Sequence, residues 1–97
     1  MATVICSRRL LEDLACALAP VRRQDMAAAR LMAAAAGTTL RALELSPMLG
    51  RRIEGDLREL VISSGAKGLV ALYRFIAARD EVRVLALRPQ REMGFRP

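Results

Sequence analysis

Leu69-Val70-Ala71-Leu72-Tyr73-Arg74-Phe75-Ile76 is the stretch on which the fold turns. It has strand length, and both of its parities are largely apolar. Val70, Leu72 and Ile76 lie on one, and Leu69, Ala71 and Phe75 on the other. Successive strand side chains point to opposite faces, so this strand is expected at the centre of its sheet, covered on both sides. Tyr73 and Arg74 then face opposite ways and cannot share one site. Two further apolar runs, Leu57–Ile62 and Val82–Leu87, flank it. The joining segments 63–68 and 77–81 are short enough to favour antiparallel hairpins.

Working upstream, Ala2-Thr3-Val4-Ile5-Cys6 reads as a first, short β-branched strand. Ser7 is placed to cap a helix, because its hydroxyl can accept from an orphan amide of the first turn. Leu10, Leu11, Leu14 and Leu18 recur at helical spacing. Pro20 is expected to end or kink that helix, since it lacks an amide donor and crowds the preceding turn. Asp25 caps a second helix running from Met26 to about Leu45, with Leu31, Met32, Ala35, Ala36, Leu40 and Leu43 on one side. Gly37 within it costs roughly 1 kcal/mol relative to alanine, which predicts a close contact with a neighbouring element. Pro47 to Gly55 reads as a loop, Gly50 and Gly55 suiting turns. The order β-α-α-β-β-β makes one α+β domain over residues 1–97. A two-helix hairpin and a short N-terminal strand pack with a small, antiparallel-rich twisted sheet.

Apolar residues form 54% of the chain, but Tyr73, Phe75 and Phe95 are its only aromatics. An aliphatic, alanine-rich core of this size predicts modest stability for the lone chain, which a bound partner would raise by mass action. The formal charge is +6, from fifteen arginines, Lys67 and ten acids. Six bases and four acids precede Arg51, and ten bases and six acids follow, so the excess lies with the strands and tail. Such a balance suits an acidic partner, either nucleic acid or an acidic protein segment. Cys6 and Cys16 are too few for a disulfide framework, and without histidine no zinc set forms. Both read as small buried hydrophobes of a reducing cytoplasm. Arg8 and Arg9 follow the first apolar stretch instead of preceding it, unlike a signal peptide. The run from Met26 to Leu40 is interrupted by Arg30 and too short to span a bilayer. A soluble cytoplasmic protein without metal or cofactor is expected.

The chemistry-bearing residues are few. No glycine-rich nucleotide loop occurs, and Ser/His/Asp and Cys/His sets are impossible without histidine. Glu12-Asp13, Glu54/Asp56 and Asp80-Glu81 read as surface or turn carboxylates. What remains is a basic cluster: Arg58, Lys67, Tyr73, Arg74, Arg88, Arg91 and Glu92.

Five pieces, in order and spanning nearly the whole chain, carry a family resemblance. They are Asp25-Met26-Ala27-Ala28-Ala29-Arg30, Pro47-Met48-Leu49-Gly50, Leu57-Arg58-Glu59-Leu60, Leu72-Tyr73-Arg74 and Arg88-Pro89-Gln90-Arg91-Glu92. Together they resemble the RelE/ParE superfamily of bacterial type II toxins, nearest its ParE branch. The resemblance implies the β-α-α-β-β-β fold and a ParD-like antitoxin, with a ribbon-helix-helix head and a tail that folds onto the toxin as a hetero-oligomer. It implies a role in plasmid stabilisation, and nucleic acid met only through antitoxin or target.

Two activities are implied. ParE-like toxins bind DNA gyrase and stall it on cleaved DNA, without catalytic residues of their own. RelE-like toxins cleave mRNA on the ribosome, which requires deprotonating a ribose 2′-hydroxyl, protonating the leaving oxygen and stabilising phosphorane charge. Here Pro89 stands where the family usually has histidine and Phe95 where it usually has a terminal tyrosine. Neither transfers a proton, and arginines are poor bases. The expectation is therefore a non-enzymatic gyrase inhibitor, with ribosome-dependent mRNA cleavage as the alternative and a toxin-like binder of weak activity as a third reading. Arg74, Arg88, Arg91, Glu92 and Phe95 are the expected target surface. Leu11, Leu14, Leu18, Met32 and Arg58 are the expected antitoxin contacts.

Overall fold

A computed structural model describes residues 1–63 and 68–90. Strand β1 (Thr3–Cys6) leads through Ser7 into helix α1 (Arg8–Gln24), and Asp25 alone separates it from helix α2 (Met26–Arg41). A 3-10 turn at Ala42–Glu44 and a loop follow. The sheet is completed by β2 (Arg51–Glu54), β3 (Leu57–Ser63), β4 (Leu69–Ile76) and β5 (Glu81–Pro89). The five strands lie in the order β1-β5-β4-β3-β2, with β1 parallel to β5 and every other pairing antiparallel. β4 is thus the middle strand, and Leu69 to Tyr73 are buried on both parities.

Both caps form as the sequence predicts. Ser7 Oγ accepts from Leu10 N at 2.9 Å and Asp25 Oδ1 from Ala28 N at 3.1 Å. Pro20 does not end its helix. It forfeits one amide donor four residues before the terminus, and the last turn still closes with Asp25 N donating to Val21 O at 2.7 Å. The Pro47–Gly55 segment is not wholly loop either, because Arg51–Glu54 forms an edge strand. Gly55, at φ +56°, opens the two-residue turn that joins it to β3, a position suited to glycine.

Helix α1 packs on β5 and α2 on β3, so the hairpin covers one face of the sheet. Leu10, Leu40, Leu43, Leu60, Ala71, Tyr73, Val82, Val84 and Leu87 fill the space between, with Leu14, Ile62 and Phe75 packed against them. Gly37 is not at a close contact: among the described residues, a Cβ there would meet Arg41 Nη1 alone, at 3.9 Å. Cys6 and Cys16 are not buried. Each is exposed, the first on the edge strand β1 and the second on α1. Among the described residues no helix is long and apolar enough to cross a membrane.

Candidate functional site

The face of the sheet away from the helices is assembled by a bulge. Pairing between β4 and β5 runs Val70↔Arg88, Ala71↔Leu87, Leu72↔Ala86 and then jumps to Tyr73↔Val84, leaving Leu85 as the extra residue. A bulge re-aims the residues beyond it. Here it keeps Val84 and Leu87 in the core and turns Ala86 and Arg88 to the open face. Two residues at the start of α1 hold it. Ser7 Oγ donates to Leu85 O at 2.8 Å, and Asp13 Oδ2 accepts from Leu87 N at 3.0 Å.

Paired strand residues share a face. The open face therefore carries Val70, Leu72 and Ala86 at its centre, each less than a tenth exposed, and three arginines around them. Arg74 and Arg83 are direct cross-strand partners, and Arg88 lies opposite Val70. Arg74 Nε donates to Asp56 Oδ1 at 2.8 Å and Arg83 Nε to Glu81 Oε1 at 3.0 Å, with both guanidinium side chains 46% exposed. Surface ion pairs of this kind are worth about 0–1 kcal/mol, so an incoming anionic group can exchange with them cheaply. Arg88 is exposed and has no acidic partner among the described residues. Four strand residues separate Arg74 from Arg88, about 13 Å at the usual rise. Such spacing suits a broad docking surface better than a single reacting atom.

Of the expected target residues, Arg74 and Arg88 therefore share this face, while Arg91, Glu92 and Phe95 lie outside the described residues. Arg83 joins the face although sequence reasoning passed it over. Its signal was available, since Val82 and Val84 on either side are core residues and force Arg83 outward.

Tyr73, next to Arg74, faces the helices and is fully buried. Its hydroxyl accepts from Gly50 N at 2.7 Å. Burial pushes its ionisation upward, against the smaller opposing effects of that hydrogen bond and the nearby Arg58 charge. Arg58, expected at the antitoxin contact, is half-buried beside it. Its Nη1 donates to Gly50 O at 2.7 Å and Met48 O at 3.3 Å, tying the 46–50 loop to the sheet.

Leu14, Leu18 and Met32 come together. With Leu31, Ala35, Ile62 and Leu69 they line an apolar cavity of about 200 Å³ between the hairpin and the sheet. Leu11 does not line it and is 56% exposed one turn earlier on α1. Leu31, absent from the expected contacts, is 72% exposed at its mouth. Arg22 and Arg30 line an adjoining depression that shares Leu18, so the apolar groove has a basic rim. Among the described residues no group of three or more His, Cys, Asp or Glu gathers as a metal set would.

No family model matches the sequence, and no curated protein matches it. The three-dimensional comparison does find a likeness. The chain aligns with a chain from the crystal structure of the intact E. coli RelBE toxin–antitoxin complex at a TM-score of 0.61, over 92% of this chain and 96% of that one. Sequence identity is 16%, so what the two share is architecture. The α+β class and the two-helix hairpin are as expected, the sheet gains the strand Arg51–Glu54, and this protein has a RelE-like fold.

Proposed function

We propose that this protein is the toxin of a type II toxin–antitoxin pair, that it acts as ParE-like toxins do by binding DNA gyrase, and that a ParD-like antitoxin neutralises it. The observation that carries the choice of binding over cutting is Tyr73. The chain has one tyrosine and no histidine, and the tyrosine is sealed in the core with its hydroxyl engaged by Gly50. A ribonuclease of this fold would need a group to move a proton at the 2′-hydroxyl, and arginine as a residue type is a poor base. Arg74, Arg83 and Arg88 are instead exposed on one face of the sheet, and arginine is enriched in protein interfaces.

The second reading, ribosome-dependent cleavage of mRNA, draws on the same three arginines, since guanidinium groups bind phosphate well. The antitoxin is assigned to the other side of the molecule. A tail helix entering the groove at Leu14, Leu18 and Met32 would use spaced apolar anchors, and acidic residues beside them would meet Arg22 and Arg30.

Induced expression in a bacterial host tests the proposal. Growth arrest with a DNA-damage response and intact mRNA is expected, and R74A/R88A should relieve it without lowering the melting temperature by more than a few degrees. Arrest with fragmented mRNA and undamaged DNA would favour the second reading.

A further inference from the structure

Strand β3 is covered along its whole length on one side and along half of it on the other. Pairing with β4 runs from Leu57↔Arg74 to Ser63↔Leu69. Pairing with β2 begins at Arg51↔Glu59 and ends at Glu54↔Leu57, so among the described residues Leu60, Val61 and Ile62 have no strand on that side. The cause lies in the residue before β2. Gly50, which would stand opposite Leu60, gives its amide to the Tyr73 hydroxyl, and its carbonyl oxygen accepts from Arg58 Nη1, both at 2.7 Å. The chain ahead of it is held in a turn by Leu49 N donating to Ser46 O at 3.0 Å. The approach to β2 is thereby drawn aside from the line of the strand.

What remains is a notch one strand deep, about 4.8 Å. A cavity of about 470 Å³ lies in it, walled by Thr39 of α2, Leu49, Leu60 and Val61. Past Val61 the apolar cavity between hairpin and sheet takes over, with Ala35 and Ile62 in its lining. Main-chain polar groups face this notch. A Cβ on Gly50 would lie 2.6 Å from Glu59 O, so the Glu59 carbonyl points to the β2 side. Successive residues of an antiparallel strand address its two sides alternately, which gives Val61 the same direction as Glu59. Among the described residues no strand lies opposite the Val61 amide and carbonyl, and Val61 is 48% exposed. The register with β4 shifts after Val61, so regular pairing in the notch is confined to that one residue.

The notch is neutral. The two charged residues that line it, Arg51 and Glu59, are joined to each other, with Arg51 Nε donating to Glu59 Oε1 at 3.1 Å. Among the described residues no charged side chain lines the adjoining apolar cavity. A charged side chain entering here would be desolvated without a partner, whereas an aliphatic one would not. The occupants available within this protein do not match. The straight edge of a second copy would meet β2 and the 46–50 turn before reaching Val61. A second copy's β2 would carry Arg51, Arg52 and Glu54 into an apolar slot. The chain beyond Gln90 has Arg91, Glu92 and Arg96 among its seven residues and ends in proline.

We infer that this notch takes a short, uncharged, extended segment of a partner protein, with an aliphatic residue on each side of the one that pairs with Val61. The segment continues the line of β2 and runs antiparallel to β3. Its central residue exchanges main-chain bonds with Val61, as in strand addition to a sheet edge. The neighbours of that residue alternate to the helix side and enter the two cavities that meet there. The inference rests on the reading above only in requiring a polypeptide partner, and it names no particular one.

The test uses the intact chain and an acetylated, amidated heptapeptide with isoleucine, threonine and isoleucine at its centre and glycine and serine on each flank. Saturating peptide is expected to slow amide hydrogen exchange at Val61 at least tenfold. N-methylation of the central threonine, or glutamate or lysine in place of both isoleucines, should weaken binding at least tenfold. Thr39→Trp, which fills the cavity from α2, should weaken it as much. Thr38→Trp, at an exposed position of the same helix, should bind as the parent does. Should Thr39→Trp fail to fold, the altered peptides and the exchange readout on the parent chain decide the matter. Unchanged exchange at Val61 under excess peptide overturns the inference, as does equal binding of the glutamate or lysine peptide. So does a Val61 amide already protected in the peptide-free chain, whether that chain sediments as a monomer or a dimer. Neither gyrase nor antitoxin is present in this assay, so its failure leaves the toxin reading standing, and failure of the toxin reading leaves the notch intact.

Discussion

Gly50 and Tyr73 form one unit: the glycine amide donates to the tyrosine hydroxyl at 2.7 Å, and there is no room between them for a side chain. A Cβ on Gly50 would lie 2.6 Å from Glu59 O and 2.7 Å from Tyr73 Cε1. Gly50→Ala must therefore displace the 46–50 loop from the sheet, at a cost of about 3 kcal/mol, typical of overpacking. Tyr73→Phe keeps the ring but strands a buried amide, costing about 1–3 kcal/mol. Urea unfolding of both variants checks this, and a Gly50→Ala chain as stable as the parent would contradict the contact.

The same tyrosine gives the protein an alkaline limit. Burial raises its folded ionisation above the ordinary value of 10.0. The unfolded chain then releases the proton at lower pH than the folded one, so stability is full below about pH 10 and falls as pH rises towards the folded pKa. Because there is one tyrosine, tyrosinate absorbance near 295 nm reports it cleanly. The expected result is a titration midpoint above 10 that coincides with loss of helical signal, and Tyr73→Phe should remove that step.

Asp13 secures the bulge that aims Arg88. Its carboxylate accepts the Leu87 amide and lies 3.7 Å from Arg9 Nε, with its side chain 26% exposed. Asp13→Ala should cost about 1.5–3 kcal/mol, as expected for a hydrogen bond to a charged acceptor. It should also speed hydrogen exchange at Leu87. Asp13→Asn, which can still accept, should recover most of both.

Gly37 behaves oppositely to Gly50. It is helical, and among the described residues only a flexible arginine tip lies within 4 Å of where its Cβ would be. Gly37→Ala should stabilise the protein by about 0.5–1 kcal/mol, read as a rise of a few degrees in the melting temperature.

The contrast between those glycines marks how far the sequence could be read. The central position of β4 was visible because both of its parities are apolar, and Ser7 and Asp25 were visible as caps because capping is local chemistry. Strand β2 was hidden: Arg51-Arg52-Ile53-Glu54 has one apolar residue and an irregular pairing, so no alternation signals it. The parallel partnership of β1 with β5 and the bulge at Leu85 depend on contacts more than 70 residues apart, which periodicity does not encode. Gly37 suggested a contact and Gly50 a turn, because a glycine announces missing bulk without saying what fills the space.

For the candidate site, alternation along β4 separated Arg74 from buried Tyr73. The bulge then brought Arg88 to the same face, and flanking valines force Arg83 there as well. The groove residues Leu14, Leu18 and Met32 shared helical faces in the sequence. Arg58 proved to be a brace for the 46–50 loop, a role set by two carbonyl groups that no motif announces.

The central claim is that this chain poisons a protein target and does not cut RNA. Purified chain should be added to DNA gyrase with supercoiled plasmid and, separately, to translating ribosomes followed by primer extension. The account predicts accumulation of gyrase-cleaved DNA, lost on R74A/R88A substitution, with mRNA intact. Codon-specific mRNA breaks with gyrase unaffected would contradict it.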